Sequence, residues 1–140
     1  MNLEKAMRIA FEAHKDQKDK YGAPYLGHVT RVMNAGNTDD ERIVGVLHDV
    51  VEDTDWTFEQ LEQEGFSKSI VEAIRCLSKT SDKEDYDDFI ERTKTNPLAV
   101  KVKLYDLTDN MDLRRMTEVK EKDIERLNKY LKAYRILSGL

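Results

Sequence analysis

The sequence predicts an all-α fold, a single domain over residues 1–140 built as a bundle of about seven to eight helices. Three observations carry that prediction. Apolar residues recur at offsets of three and four along most of the chain, the spacing that gathers them on one helix face. Thr38 with Glu41, and Thr57 with Gln60, have the pattern of capping boxes, which mark helix starts. Two prolines and six glycines are too few to cut 140 residues into short strands, and no segment alternates with period two for long enough to argue a sheet.

The first helix is expected over residues 3–19, with Leu3, Ala6, Met7, Ala10, Ala13 and Gln17 on one face, broken at "KYGAPY". A shorter one spans Leu26 to Ala35, carries His28, Val29, Val32 and Met33, and is ended by "GN". Thr38 opens a third helix that continues through Ile43, Val44, Val46, Leu47, Val50 and Val51. Thr57 opens a short one through Leu61, closed by Gly65, and Ser67 or Ser69 caps the helix carrying Ile70, Val71, Ile74 and Leu77. "SKTSDKEDYDD" is polar and predicts an exposed, mobile loop. Helices follow at about 86–95 and 97–113, the second starting at Pro97, a residue suited to a first helical turn. The last, about 118–137, sets Ile124, Leu127, Leu131, Tyr134 and Leu137 at core spacing.

A net charge of −5 leaves no basic stripe for a nucleic acid, so none is expected as partner. The one cysteine, Cys76, cannot form an internal disulfide and sits in an apolar helical pattern where a small hydrophobe fits. No spanning apolar run and no signal-peptide core is visible, so neither membrane nor export is expected and a cytoplasmic setting is.

One stretch resists a purely structural reading. Residues 47 to 54, "LHDVVEDT", set a histidine and three carboxylates within an apolar run. From Arg42 to Lys68 there is no lysine or arginine between, yet Asp49, Glu52, Asp53, Asp55, Glu59, Glu62 and Glu64 fall there. Crowded carboxylates near an apolar face repel one another and resist desolvation, so a positive partner outside the sequence is implied. Imidazole and carboxylate together suit Mn²⁺, Fe²⁺ or Zn²⁺, and spacing alone does not choose among them. A second polar interruption, "VKVKLYDLTDNMDLRR", carries Asp106, Asp109, Asn110 and Asp112 among apolar residues, with Asp106 and Asn110 one turn apart. Acidic residues on the solvent side of an amphipathic helix would give the same pattern.

Together, "AHKDQKDKYGAPYLGH", "HDVVEDT" and "VKLYDLTDNM" resemble the three signature stretches of the HD-domain metal-dependent phosphohydrolases. More narrowly they are similar to the hydrolase domain of the RelA/SpoT family and its stand-alone small alarmone hydrolases, over residues 4–115. The resemblance implies an enzyme that hydrolyses guanosine 3′,5′-bis(diphosphate) at its 3′-pyrophosphate with one Mn²⁺. By position it implies His28, His48, Asp49 and Asp106 as metal ligands and Glu52 and Asp53 as the catalytic pair acting on water. It further implies Lys20, Tyr21, Tyr25 and Asn110 as substrate-binding residues, with Tyr25 shaping the far side of the substrate loop and His14 supporting the ligands.

The departures from the family pattern lie at the substrate end. The family's "GQxRKxG" reads "DQKDKYG" here, so Asp19 stands where an arginine would stack on the base, and Tyr21 replaces a serine. Val29 replaces a proline, and Leu107, Asp109 and Leu113 replace arginine, histidine and threonine. Two alternatives therefore stand beside the main reading: a phosphohydrolase for another nucleotide or phosphate compound, and a non-catalytic metal or nucleotide sensor.

Overall fold

The computed structural model describes residues 2–140. Among the described residues every regular element is helical: α1 (Asn2–Ala13), α2 (Tyr25–Ala35), α3 (Asp39–Leu47), α4 (Val50–Asp53), α5 (Phe58–Gln63), α6 (Lys68–Cys76), α7 (Tyr86–Lys94), α8 (Pro97–Asn110) and α9 (Glu121–Ser138), with a 3-10 turn at Leu113–Arg115. The nearest approach to a strand is an isolated antiparallel bridge between Lys18 and Pro24.

The helix starts are written in the local sequence. The Thr38 and Ser67 side chains accept the backbone N–H of Glu41 and Ile70, and Thr57 with Gln60 forms a reciprocal capping box. Asn96 caps α8 through the N–H of Ala99, with Pro97 in the first turn. Each bond satisfies an N–H that has no partner within its helix.

Three elements differ from the sequence expectation. The first helix ends at Ala13 instead of continuing to residue 19, because Asp16 takes a left-handed φ of 66°, which stops helical propagation. The expected third helix is split at His48–Asp49, where Asp49 has φ −104° and ψ 0°, so its last turn stands apart as the four-residue α4. On α9, Ile124 and Leu131 remain exposed, while Asp123, Ala133 and Leu137 are buried. That helix is rotated so that Ala133 and Leu137 join Phe89, Ile90 and Leu107, which leaves Arg126 and Tyr130 on the edge bordering a cleft.

Two apolar clusters result. The larger joins α1, α2, α3, α5 and α6 with Ala99 and Val102 of α8. The smaller joins α7 and α9 with Leu107, further along α8. That helix therefore passes from one cluster to the other, and its buried polar residues Lys103, Asp106 and Asp109 lie along the passage. Cys76 is buried, and burial pushes its thiol pKa up, as for an unreactive small hydrophobe. The polar segment after α6 is exposed from Thr80 to Lys83 but tied at its ends, since Arg92 donates to the Ser78 carbonyl at 2.7 Å and to Glu84 at 3.0 Å. No helix among the described residues is long and apolar enough to cross a membrane.

A Cβ on Gly45 would lie 3.2 Å from the Cα of Met33 and 3.2 Å from the carbonyl oxygen of Val32, both backbone atoms of α2. Gly45→Ala is expected to destabilise the protein by about 1–3 kcal/mol in urea unfolding; an unchanged midpoint would mean that α2 and α3 separate freely. Glu41, 2 % exposed, accepts the Tyr105 hydroxyl at 2.5 Å, and that bond, ahead of contributions from Asn37 and Lys101, holds its carboxyl below the usual 4.5. A depressed folded value stabilises the native state above pH 4.5, and the gain is lost as the pH falls through the folded value. Tyr105→Phe should therefore cost about 1 kcal/mol at pH 7 and distinctly less at pH 3; equal losses at both would contradict the assignment.

Candidate metal centre and cleft

His28 comes from the first turns of α2, His48 and Asp49 from the break between α3 and α4, and Asp106 from the middle of α8. One donor atom from each lies within 4.8 Å of every other, so the four residues assigned to the metal from the sequence are brought together. His28 Nε2 is 3.0 Å from Asp106 Oδ1 and 3.7 Å from Asp49 Oδ2, while His48 Nε2 is 3.0 Å from Asp49 Oδ2 and 3.3 Å from Asp106 Oδ1. Two ligands each about 2.1 Å from a shared ion stand about 3–3.5 Å apart, so these separations fit one divalent cation. The break in the helix is what makes this possible. On an unbroken helix, neighbouring side chains diverge by about 100°.

The rings present Nε2 because Nδ1 is engaged elsewhere. His48 Nδ1 donates to the Gly45 carbonyl at 2.6 Å, and His28 Nδ1 donates to Asp109 Oδ2 at 2.6 Å. Tyr25 donates its hydroxyl to Asp49 Oδ2, which sets it against the candidate ligand rather than on the far side of the substrate loop. Asn110 Nδ2 donates to Asp106 Oδ1 at 3.1 Å, and Lys103 Nζ donates to Asp106 Oδ2 at 2.8 Å. His14 is outside the donor set. It is fully buried, its Nδ1 is 2.8 Å from Gln17 Oε1, and its ring packs 5.1 Å from that of Tyr25.

The electrostatics follow from burying this group. Desolvation acts to raise the Asp49 pKa, but the His48 charge and hydrogen bond outweigh it and hold the carboxyl at about 2. Asp106 is likewise held low against desolvation, first by Lys103 and then by His48. Both imidazoles are pushed up against burial, His28 by Asp106 and Asp109, and His48 by Asp49 and Asp106. The carboxylates are thus compensated by whatever positive charge is at hand, the role a dication would fill.

Above the four donors opens a cleft of about 370 Å³. Glu52, Asp53, Lys20, Tyr21, Tyr25 and Asn110 all line it, so the remaining residues singled out from the sequence also converge. Glu52 Oε1 accepts the N–H of Lys79 at 2.7 Å. Partial withdrawal from water, then the charges of Asp49 and Glu52, push the Asp53 carboxyl up to about 7.

Further lining residues were not anticipated. Lys79, Lys103, Arg115, Arg126 and Lys129 line the same cleft, together with Tyr86, Phe89 and Tyr130. The cations crowd one another: Lys20 is pushed down by burial and then by Arg126 and Lys129, and Lys129 by burial and then by Lys79 and Lys103. Arg126, Lys129 and Tyr130 stand at offsets of three and four on α9, a basic and aromatic stripe that could have been read from the sequence. Nothing local announces Arg115.

Asp19 is not a free anion in this cleft. Its Oδ1 accepts the N–H groups of Tyr21 and Ala23 at 2.9 and 3.0 Å, and its Oδ2 accepts Arg115 Nη2 at 3.1 Å. These bonds outweigh desolvation and hold its carboxyl below the usual carboxylate range, so it staples the loop and anchors an arginine.

No family model matches the chain. Among curated proteins it is 29 % identical over 120 residues, 78 % of its length, to the guanosine-3′,5′-bis(diphosphate) 3′-pyrophosphohydrolase of Aquifex aeolicus. It is 32 % identical over 123 residues, again 78 % of its length, to the bifunctional (p)ppGpp synthase/hydrolase SpoT of Escherichia coli K12. The chain spans only 17 % of the length of each of these relatives. A solved structure described as a metazoan ortholog of SpoT that hydrolyses ppGpp superposes with a TM-score of 0.76 over 97 % of this chain and 84 % of that one, at 23 % identity, a likeness of fold. With all three stretches contributing to one cleft, the chain is similar over 78 % of its length to part of these SpoT-type relatives and shares the all-helical fold of the metazoan ortholog.

Proposed function

We propose that the chain is a Mn²⁺-dependent phosphohydrolase that removes the 3′-pyrophosphate from guanosine 3′,5′-bis(diphosphate). The observation that carries this reading is the cluster of four metal-type donors at a cleft that Glu52, Asp53 and several lysines and arginines also line. The names of the curated relatives supply the substrate.

His28, His48, Asp49 and Asp106 would hold the ion, with Tyr25, Asn110 and Lys103 fixing the orientation of the carboxylates. When bound, the ion supplies Lewis acidity, acidifying water and polarising a phosphoryl oxygen. Glu52 and Asp53 orient the attacking water and take its proton as it adds to phosphorus. The bond from phosphorus to the 3′ oxygen breaks, giving pyrophosphate and guanosine 5′-diphosphate. Lys20, Arg126 and Lys129 offset the charge of the phosphates, and Tyr21, Tyr86 and Tyr130 offer faces on which a base can stack.

The loss of the family's stacking arginine at Asp19 favours, as a second reading, a different nucleotide or phosphate compound in the same cleft. A sensor that binds without turning over is the non-catalytic variant of it. Folded, Mn²⁺-loaded protein incubated with guanosine 3′,5′-bis(diphosphate) should release pyrophosphate, detected by ion-exchange chromatography. Turnover of other phosphate compounds only would favour the second reading, and binding without turnover the sensor.

Two variants divide the roles. Asp49→Asn should lose Mn²⁺ binding in calorimetry and all activity, as should chelation of the parent, with recovery on adding Mn²⁺ back. Glu52→Gln should bind Mn²⁺ like the parent and turn over roughly 10²–10⁴-fold more slowly. Full activity in Glu52→Gln would remove that residue from the chemistry.

A further inference from the structure

Asp109 is the buried carboxylate that neither the donor set nor the cleft uses. It lies on α8 less than one turn beyond Asp106, 9 % exposed, at the position where the family pattern has histidine. Its Oδ2 accepts His28 Nδ1 at 2.6 Å, across 81 residues of sequence. Arg31 donates Nε to Oδ1 at 2.6 Å and Nη2 to Oδ2 at 3.2 Å, and Arg115 donates Nη1 to Oδ2 at 3.0 Å. A carboxylate held by two guanidinium groups stays ionised, and an ionised carboxylate can only accept. The Nδ1 of His28 must therefore carry a proton, which leaves Nε2 as the atom turned toward Asp106 and Asp49.

His48 reaches the same state by another route. Its Nδ1–H goes to a carbonyl three residues back in its own chain segment, an acceptor that the helix supplies without any particular side chain. The orientation of His28 depends instead on one side chain from a distant helix, and that side chain is itself oriented by arginines from α2 and from the 3-10 turn.

We propose that Asp109 is a positioning residue for the divalent-ion site: its carboxylate fixes the tautomer and the ring plane of His28, with Arg31 and Arg115 holding it in place. This rests on reading the four-donor cluster as an ion site. A carboxylate behind a ligating imidazole both orients the ring and strengthens it as a donor, and its loss lowers metal affinity roughly 10–100-fold. A residue present only for stability would change the urea midpoint and leave ion binding alone.

The test uses the whole chain, with Mn²⁺ for affinity and diamagnetic Zn²⁺ for imidazole ¹⁵N and ¹H spectra. In Zn²⁺-loaded parent protein, His28 should show a protected, downfield Nδ1–H resonance. Asp109→Ala should bind Mn²⁺ roughly 10–100-fold more weakly and lose that resonance. Asp109→Asn keeps an acceptor but not the charge, so it should retain the resonance shifted upfield, with an affinity between the other two. It also serves should the alanine variant not fold. If the parent binds neither ion, the metal-site reading fails and this inference with it. If the parent binds and both variants bind as tightly, with the Nδ1–H resonance unmoved, the positioning role alone is overturned.

Discussion

Two carboxylates and two imidazoles are held in contact inside a helical core, and most of the architecture answers to that constraint. Asp49 and Asp106 carry like charges within reach of the same histidine nitrogens, in surroundings that strongly disfavour unpaired charge. Lys103 neutralises one side of Asp106 from a buried position, and the imidazoles respond by gaining basicity. The chain gives up helix at His48–Asp49 and packs Gly45 directly against the backbone of α2, which brings His28 and His48 to a ring separation of 5.4 Å. The passage of α8 between two apolar clusters gives Asp106 a buried place that still faces the cleft.

Both signs of charge line the cleft beside that point: Asp49, Glu52, Asp53 and Asp106 share it with Lys20, Lys79, Lys103, Arg115, Arg126 and Lys129. This arrangement suits a ligand with several phosphates, one end meeting an ion and the rest lying against lysines and arginines. Asp19, an obstacle to such a ligand when the sequence is read alone, serves instead to staple its loop and to hold Arg115.

Much of this was legible in the residues because it is local. Thr38, Thr57 and Ser67 each cap the helix they precede, and the His-Asp pair with its trailing acids announced a site needing positive charge. What stayed hidden depends on long-range packing. Helical periodicity runs straight through His48 and Asp49, so it gave no sign of the break, although the break is what aims both side chains at one place. The apolar spacing of α9 suggested Ile124 and Leu131 for the core, but the helix is turned by Ala133 and Leu137 packing on Phe89 and Leu107. Asp109 read as a surface acid because its partners, His28, Arg31 and Arg115, are named only by the tertiary structure.

The central claim is that side chains from three parts of the chain share one divalent cation. Anomalous diffraction at the manganese edge, from crystals grown with Mn²⁺ and no chelator, tests it most directly. The account predicts a single strong peak per chain at bonding distance from His28, His48, Asp49 and Asp106 together. A peak elsewhere, or none in a fully ordered cleft, would contradict it.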